Sequence, residues 1–338
     1  LNSKNENYTK KWETVYNLAI PNIKTLLKKL GHNFDWYFGE SDVVNETELV
    51  VSKAIDEKKV KKDDGALIST QEVDPPILIT KSDGSYLYLT TDLGTVLFRE
   101  NKSSFDKYIY VVDSRQENHF KQLFTTVKHF GLSNSDFFHV GFGTINGSDN
   151  KPFKTRDGGV YKLNLLFEDI KEKLKKYNSD DQVLNTLTNT VLTYSDLLPN
   201  RNQNYIFDVD KFTDINGKTG IYIQYAQVRA RKLLDNSTMP GSYDTNFEIN
   251  NEERNLLLLI TKFDYFFNLS LTNMEPHHLA EYLFSLSQAF NSFYTNNKIF
   301  SDEVPIGTQI NRIKIVEEFF TTINLVFSCL GIEAAESM

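Results

Sequence analysis

The run "KYIYVVDS", Lys107 to Ser114, constrains the fold more than any other stretch of the chain. It is nearly continuous in apolar residues and ends in polar ones. That is the pattern of a buried parallel strand with its carboxyl end at Asp113 and Ser114. The next segment, "NHFKQLFTTVKHFG", repeats apolar residues at helical spacing and stops at Gly131. "FFHVGFGTINGSDN" then reads as a second strand followed by a hairpin signal at Asn146-Gly147. Strand, helix and strand in this order imply a right-handed crossover and an open α/β sheet.

Upstream, residues 1–60 read as a helix, a short extended piece "FDWYFGES", and a second helix from about Glu46 to Lys61. "KKVKKDDG" reads as a solvated turn. "ALISTQEVDPPILIT" and "SYLYLTTD" read as strands with an Asp83-Gly84 turn ahead of the second, and the pattern from Asp92 to Glu100 is helical. After Asn164 nearly everything is helical, in six segments. In the fifth, Pro276 suits a first helical turn, and Leu279, Tyr282, Leu283, Leu286, Phe290 and Phe293 form an apolar stripe. The sixth stops at Gly331.

The expected architecture is an α/β open parallel sheet followed by an all-α helical bundle. The most loop-like stretch, "PNRNQNYIFDVDKFTDINGK", puts the boundary near Ile206, with domains at 1–205 and 206–338. A chain of 338 residues is long enough for two such cores.

A formal net charge of −8 argues against non-specific coating of nucleic acid, though a local basic groove can sit on an acidic body. The single cysteine, Cys329, excludes an intrachain disulfide and a cysteine zinc site. Its apolar neighbours "INLVFSCLG" suggest a core position, and the redox context fits the cytosol. No apolar run approaches the ~18 residues of a membrane span, and the start of the chain has no signal-peptide pattern. The first residue is Leu1, so a piece of a longer product is expected.

Chemistry in an open α/β sheet gathers at the carboxyl ends of its strands. There "YLYLTTD" sets Tyr88 and Asp92 four apart, on one face if the chain turns helical after Leu89. "YVVDSRQENH" delivers Asp113, Ser114, Gln116 and His119 past the buried strand. A ring, a carboxylate and an amide suit a guanidinium or ammonium group, through charge pairing, hydrogen bonding and coverage of a face; the same residues also suit the polar rim of an ordinary sheet. "KPFKTRDGG" lacks the phosphate-loop frame, yet its cations could neutralise a leaving pyrophosphate and its paired glycines could let it close; a solvated hairpin tip has the same composition. The histidines form no metal set in the sequence, because His277 and His278 are adjacent and should face different ways on a helix. In "GIYIQYAQVRARKLL", Tyr222, Tyr225, Arg229 and Lys232 make one stripe of aromatics and cations. It suits unstacked bases and their phosphates, or equally a helix packing its tyrosines and extending its cations into water.

Taken in order, "SYLYLTTDLG", "YVVDSRQENHF", "HVGFGTINGSDNKPFKTRDGGVYKL", "GKTGIYIQYAQVRARKLL", "EPHHLAEYLFSLSQAFNSFY" and "LGIEAAESM" resemble successive blocks of the arginyl-tRNA synthetases, a class I family. The resemblance runs from about "FDWYFGES" to Met338. It implies arginine activation by ATP (with Mg2+), transfer to arginine tRNA, and a cytoplasmic monomer with no membrane partner. "KTRDGG" stands where such enzymes carry the KMSKS signature, so Lys154, Thr155 and Arg156 are the implied catalytic residues over the ATP phosphates. Tyr88, Asp92 and Gln116 match arginine-binding positions, and His139, Val140 and Phe142 match the block against which adenine rests. Tyr222, Tyr225, Arg229, Tyr294 and Met338 match anticodon-loop contacts, although "HHLAEYL" departs from a clean D-A-L-R motif. The HIGH motif of the first Rossmann half is absent, so the chain is expected to be a C-terminal part that does not activate arginine unaided. A non-catalytic RNA-binding relative and a nucleotide-dependent enzyme acting on arginine or a similar amine are the alternatives.

Overall fold

The structure, a computed structural model, describes residues 6–146, 162–237 and 247–338. It divides into two compact units, Leu1–Phe142 and Gly143–Met338.

The first unit opens with helix α1 (Glu6–Lys29), which carries no buried side chain. A 3-10 turn (Glu40–Val43) leads into α2 (Val44–Asp56), which ends earlier than its charge pattern suggests. Strands β1 (Val60–Asp63), β2 (Ala66–Ser69) and β3 (Leu78–Thr80) form an antiparallel sheet in that order. The lysine-rich segment read as a turn is therefore half of a hairpin. Val60 pairs with Ser69 and Asp63 with Ala66 around Asp64 and Gly65, both at positive φ. "SYLYLTTD" is not a strand either: Tyr86 makes one bridge to Thr80, and helix α3 (Tyr88–Lys102) begins at once. The buried Thr90 hydroxyl donates to the Ile79 carbonyl, which fixes that start.

The parallel pair appears as expected. Strand β4 (Lys107–Asp113) runs beside β5 (Asp136–Phe142), from Lys107↔Asp136 to Asp113↔Phe142. They are joined through a 3-10 turn (Ser114–Gln116) and α4 (Glu117–Phe130). Gly131 closes α4 at φ 62, the left-handed cap that glycine adopts without strain. β4 is not buried on both faces, however. Tyr108 and Tyr110 face the core, while Ile109 and Val111 are 52% and 64% exposed. The core lies on one side of the pair, between α2, α3, α4 and the sheets, around Ile79, Leu93, Val96, Leu123 and Val127.

The second unit starts with β6 (Ile145–Asn146), which pairs in parallel with β7 (Tyr205–Ile206), so the stretch read as the most loop-like contains a strand. It also contains a short helix, α7 (Val209–Phe212). Helices α5 (Leu163–Leu174), α6 (Asp181–Leu197) and α8 (Gly220–Asp235) enclose one core with Ile170, Leu187, Val191 and Ile221. The fourth expected helix is two, α9 (Asn251–Ile260) and α10 (Phe263–Asn273), separated at Thr261-Lys262. With α11 (His277–Asn296) and α12 (Ile306–Leu330) they enclose the larger core, where the predicted α11 stripe is fully committed; Phe290 stacks on Phe319 at 4.0 Å. Cys329 is exposed rather than in this core, because its position on α12 faces away from Val326, Phe327 and Leu330. Among the described residues no helix is long and apolar enough to cross a membrane.

Candidate functional site

Two groupings carry the residues singled out in the sequence, one in each unit. The first sits at the carboxyl ends of β4 and β5. Because α3 begins at Tyr88, the Tyr88 and Asp92 side chains share a face one turn apart. Asp92 Oδ2 lies 2.6 Å from His119 Nε2, and the His119 ring packs on Tyr88 with centroids 4.5 Å apart. Gln116 caps α4 three residues ahead of His119. Tyr88 is 53% exposed, so its ring forms an accessible wall. Burial, then the nearby Asp92 and Glu40 carboxylates, raise the Tyr88 phenol above its ordinary value, so it remains a neutral hydrogen-bond donor.

A ladder of rings continues inward from this cup. His119 meets Phe120 at 5.2 Å, and Phe120 stacks on His139 at 4.9 Å and 12°. His139 Nε2 is buried without a hydrogen-bond partner. Val140 is buried in β5, while Phe142 emerges at the strand end, 42% exposed. Gly141 between them sits tightly against the 3-10 turn, since a Cβ there would lie 3.1 Å from the Ser114 backbone. Asp113 does not point into the cup as a free carboxylate. It accepts from the Arg115 backbone at 2.8 Å and holds the Arg115 guanidinium at 2.5 Å. The Arg115 side chain, then its backbone N–H, keep the Asp113 carboxyl below the usual range.

Lys154, Thr155 and Arg156, the catalytic residues implied by the resemblance, lie outside the described residues. The chain just before them is anchored inside the second unit. Gly143 N–H donates to the Arg201 carbonyl at 2.7 Å, and Thr144 N–H donates to Asn204 Oδ1 at 2.7 Å. A Cβ on Gly143 would come within 2.5 Å of the Gln203 carbonyl oxygen, so this approach needs glycine.

The second grouping lies along α8 and α11. Ile221, Ile223, Gln224, Ala226, Gln227, Val228 and Ala230 are all buried, which leaves Tyr222, Tyr225, Arg229 and the exposed Lys232 along the remaining strip. Tyr222 packs on Phe284 at 5.3 Å. Arg229 is held between two rings, 4.0 Å from the Tyr225 centroid and 4.8 Å from that of Tyr294. Its guanidinium also donates to Asn291 Oδ1 at 3.0 Å and to the Tyr225 hydroxyl at 2.6 Å. Each cation–ring contact is worth about 0.5–2 kcal/mol. Tyr294 remains 37% exposed, so the sandwich presents an open ring edge beside a fixed cation. Met338 is not part of this strip: it packs half-buried against the α5–α6–α8 core.

Phe284 and Asn291 are the partners that sequence reading did not single out, whereas His119 stood among the residues delivered past β4. His119 had a local signal, three residues beyond Gln116 on a helix; the other two meet α8 only through tertiary packing. The adjacent His277 and His278 do not diverge as expected. In the first turn of α11 their rings lie 4.0 Å apart and both turn toward Glu275.

Residues 1–209 match the family described as tRNA synthetases class I (R), catalytic domain, and residues 223–338 match the DALR anticodon binding domain. The chain is 33% identical over 351 aligned positions to the arginine–tRNA ligase of Alkaliphilus oremlandii, covering 98% of this chain and 60% of that protein. It is 34% identical over 304 positions to that of Francisella tularensis, covering 86% and 52%. Among solved structures, arginyl-tRNA synthetase from Plasmodium falciparum superposes with a TM-score of 0.83 at 25% identity, over 100% of this chain and 60% of that one. The Thermus thermophilus arginyl-tRNA synthetase has the same fold, with a TM-score of 0.80 at 18% identity over 93% and 62%. The chain thus spans 60% or less of the curated relatives it matches.

Proposed function

The chain belongs to the class I arginyl-tRNA synthetase family, and on that premise we propose that it forms the later part of an arginine–tRNA ligase. The observation that carries the reading is the Asp92 carboxylate one helical turn from the Tyr88 ring, with the His119 imidazole against both, beside the carboxyl end of the parallel strands. A guanidinium there pairs its charge with Asp92, lays its plane against Tyr88, and reaches the Gln116 amide at the start of α4. Arginine held this way keeps its carboxylate free to react. A carboxylate oxygen bonds to the α-phosphorus of ATP, the bridging bond to the β-phosphate breaks, and pyrophosphate leaves. The tRNA 3′-terminal hydroxyl then attacks the activated carbonyl and releases AMP.

His139, Val140 and Phe142 are the proposed adenine wall, adjoining the arginine cup through the ring ladder. Lys154, Thr155 and Arg156 are proposed to meet the phosphates of ATP, taken as its magnesium complex, and to neutralise the leaving pyrophosphate. Residues 1–205 form the catalytic part and residues 206–338 the anticodon-binding part. Tyr222, Tyr225, Arg229 and Tyr294 face the anticodon loop of arginine tRNA, with Met338 at the end of that domain. The working protein is a cytoplasmic monomer.

A second reading, an RNA-binding protein without catalysis, draws on the absence of an H-x-G-H frame from this chain. The intact Tyr88–Asp92 pair speaks against it, since RNA binding has no use for a guanidinium cup. Titration of arginine into the chain and into Asp92→Ala tests the proposal. Removing the paired carboxylate should weaken arginine binding at least ~10-fold, the scale of a charge-assisted hydrogen bond, and leave tRNA affinity in place. Arginine binding that is unchanged in the variant would sink the cup.

A further inference from the structure

We propose that Glu275, His277 and His278 form a binding site for a divalent transition-metal ion of the zinc class. They lie in the turn between α10 and α11 and in the first turn of α11. Glu275 Oε2 is 3.2 Å from His278 Nε2 and 4.0 Å from His277 Nδ1, and all three candidate ligand atoms lie within 4.8 Å of one another. Ligands about 2.0–2.2 Å from a tetrahedral zinc ion sit roughly 3.3–3.6 Å apart. The observed spacing meets that with a contraction no larger than side-chain rotation supplies. Among the described residues this is the one trio of histidine and acidic side chains with such spacing.

The atoms are also placed as ligands. His277 Nδ1 is buried and makes no hydrogen bond, an expensive state for a ring nitrogen unless something else uses its lone pair. The three side chains are only 18–26% exposed, so the site is recessed rather than a surface scatter of histidines. Glu275 is oriented from behind, where Asn200 Nδ2 donates to its other oxygen at 3.3 Å, as outer partners orient metal ligands. The backbone is fixed as well. Met274 takes the left-handed conformation at φ 53, Glu275 N–H reaches the Ser270 carbonyl at 2.9 Å, and Arg201 Nε donates to the Met274 carbonyl at 3.0 Å. The Arg201 charge and the amino end of α11 oppose a cation, while Glu275 and the nearby Glu281 favour one. Two imidazoles and one carboxylate select zinc, cobalt, nickel or copper over magnesium or calcium, and leave one position for water. An ion there would tie the α10–α11 turn to the 200–201 segment that holds Gly143.

The test uses the tag-free chain, stripped of metal and titrated with Co2+ as a spectroscopic probe. Wild type should develop a visible absorption band that saturates at one equivalent and is displaced by Zn2+. Glu275→Gln keeps the shape and the Asn200 contact, and His278→Ala removes one ring. Each should weaken the titration at least ~10-fold while circular dichroism stays native, since losing even an outer partner costs that much. The exposed His32→Ala should leave it unchanged. No saturable band in wild type at millimolar Co2+, or the same titration in both ligand variants as in wild type, overturns the site.

Discussion

At the scale of single residues, function rests on side chains whose partners come from elsewhere in the chain. Tyr88 and Asp92 were legible because four residues is one helical turn, and the helix does begin where that spacing needs it. The His119 contact that completes the group spans 27 positions, and no local pattern encodes it. Arg229 is the same case. Its place in the α8 stripe follows from spacing, but the ring of Tyr294 and the amide of Asn291 reach it across a helix interface. Arg229→Ala therefore removes a cation and also frees Tyr294 from its clamp. In filter binding at two or more salt concentrations, arginine tRNA should bind more weakly to this variant. The slope of log K against log salt should fall by about one unit if one phosphate contact is lost. An unchanged slope would assign Arg229 to base contact or packing.

Elements meet where small residues let them. Gly94 on α3 faces α2 so closely that a Cβ would lie 2.2 Å from Thr47 Oγ1 and 2.8 Å from the Thr47 backbone. Both glycine and threonine are buried there, and the Thr47 hydroxyl is already used on the Val43 carbonyl. Gly94→Ala must push the helices apart. It should cost about 1–3 kcal/mol, the range for overpacking, even though alanine is the better helix former. Chemical denaturation followed by circular dichroism reads this directly; a neutral or stabilising result would mean that the two helices separate freely.

For the molecule as a whole, each unit is built on its own buried residues. The bundle core is aromatic at its centre, with Phe290 fully buried and stacked at 6° on Phe319. Phe290→Ala should lower stability by about 3–5 kcal/mol, measured as a shift in the urea midpoint followed by tryptophan-independent ellipticity. A loss under about 1 kcal/mol would show that the bundle refills the space, as cores able to collapse around a cavity do. The sequence by itself determined the parallel strand pair with its intervening helix, the late helices with their apolar stripes, the glycine stops at Gly131 and Gly331, and the Tyr88–Asp92 spacing. These are a continuous apolar run, periodicities of 3.6 residues, or local backbone preferences, and they are written in neighbouring residues. Only the tertiary structure decided that the lysine-rich "VKKD" pairs as a strand, that β4 shows one face to solvent, that Cys329 points outward, and that His277 and His278 converge on Glu275. Those outcomes depend on which distant segment supplies the partner or the covering surface, and a short window of sequence holds no record of that.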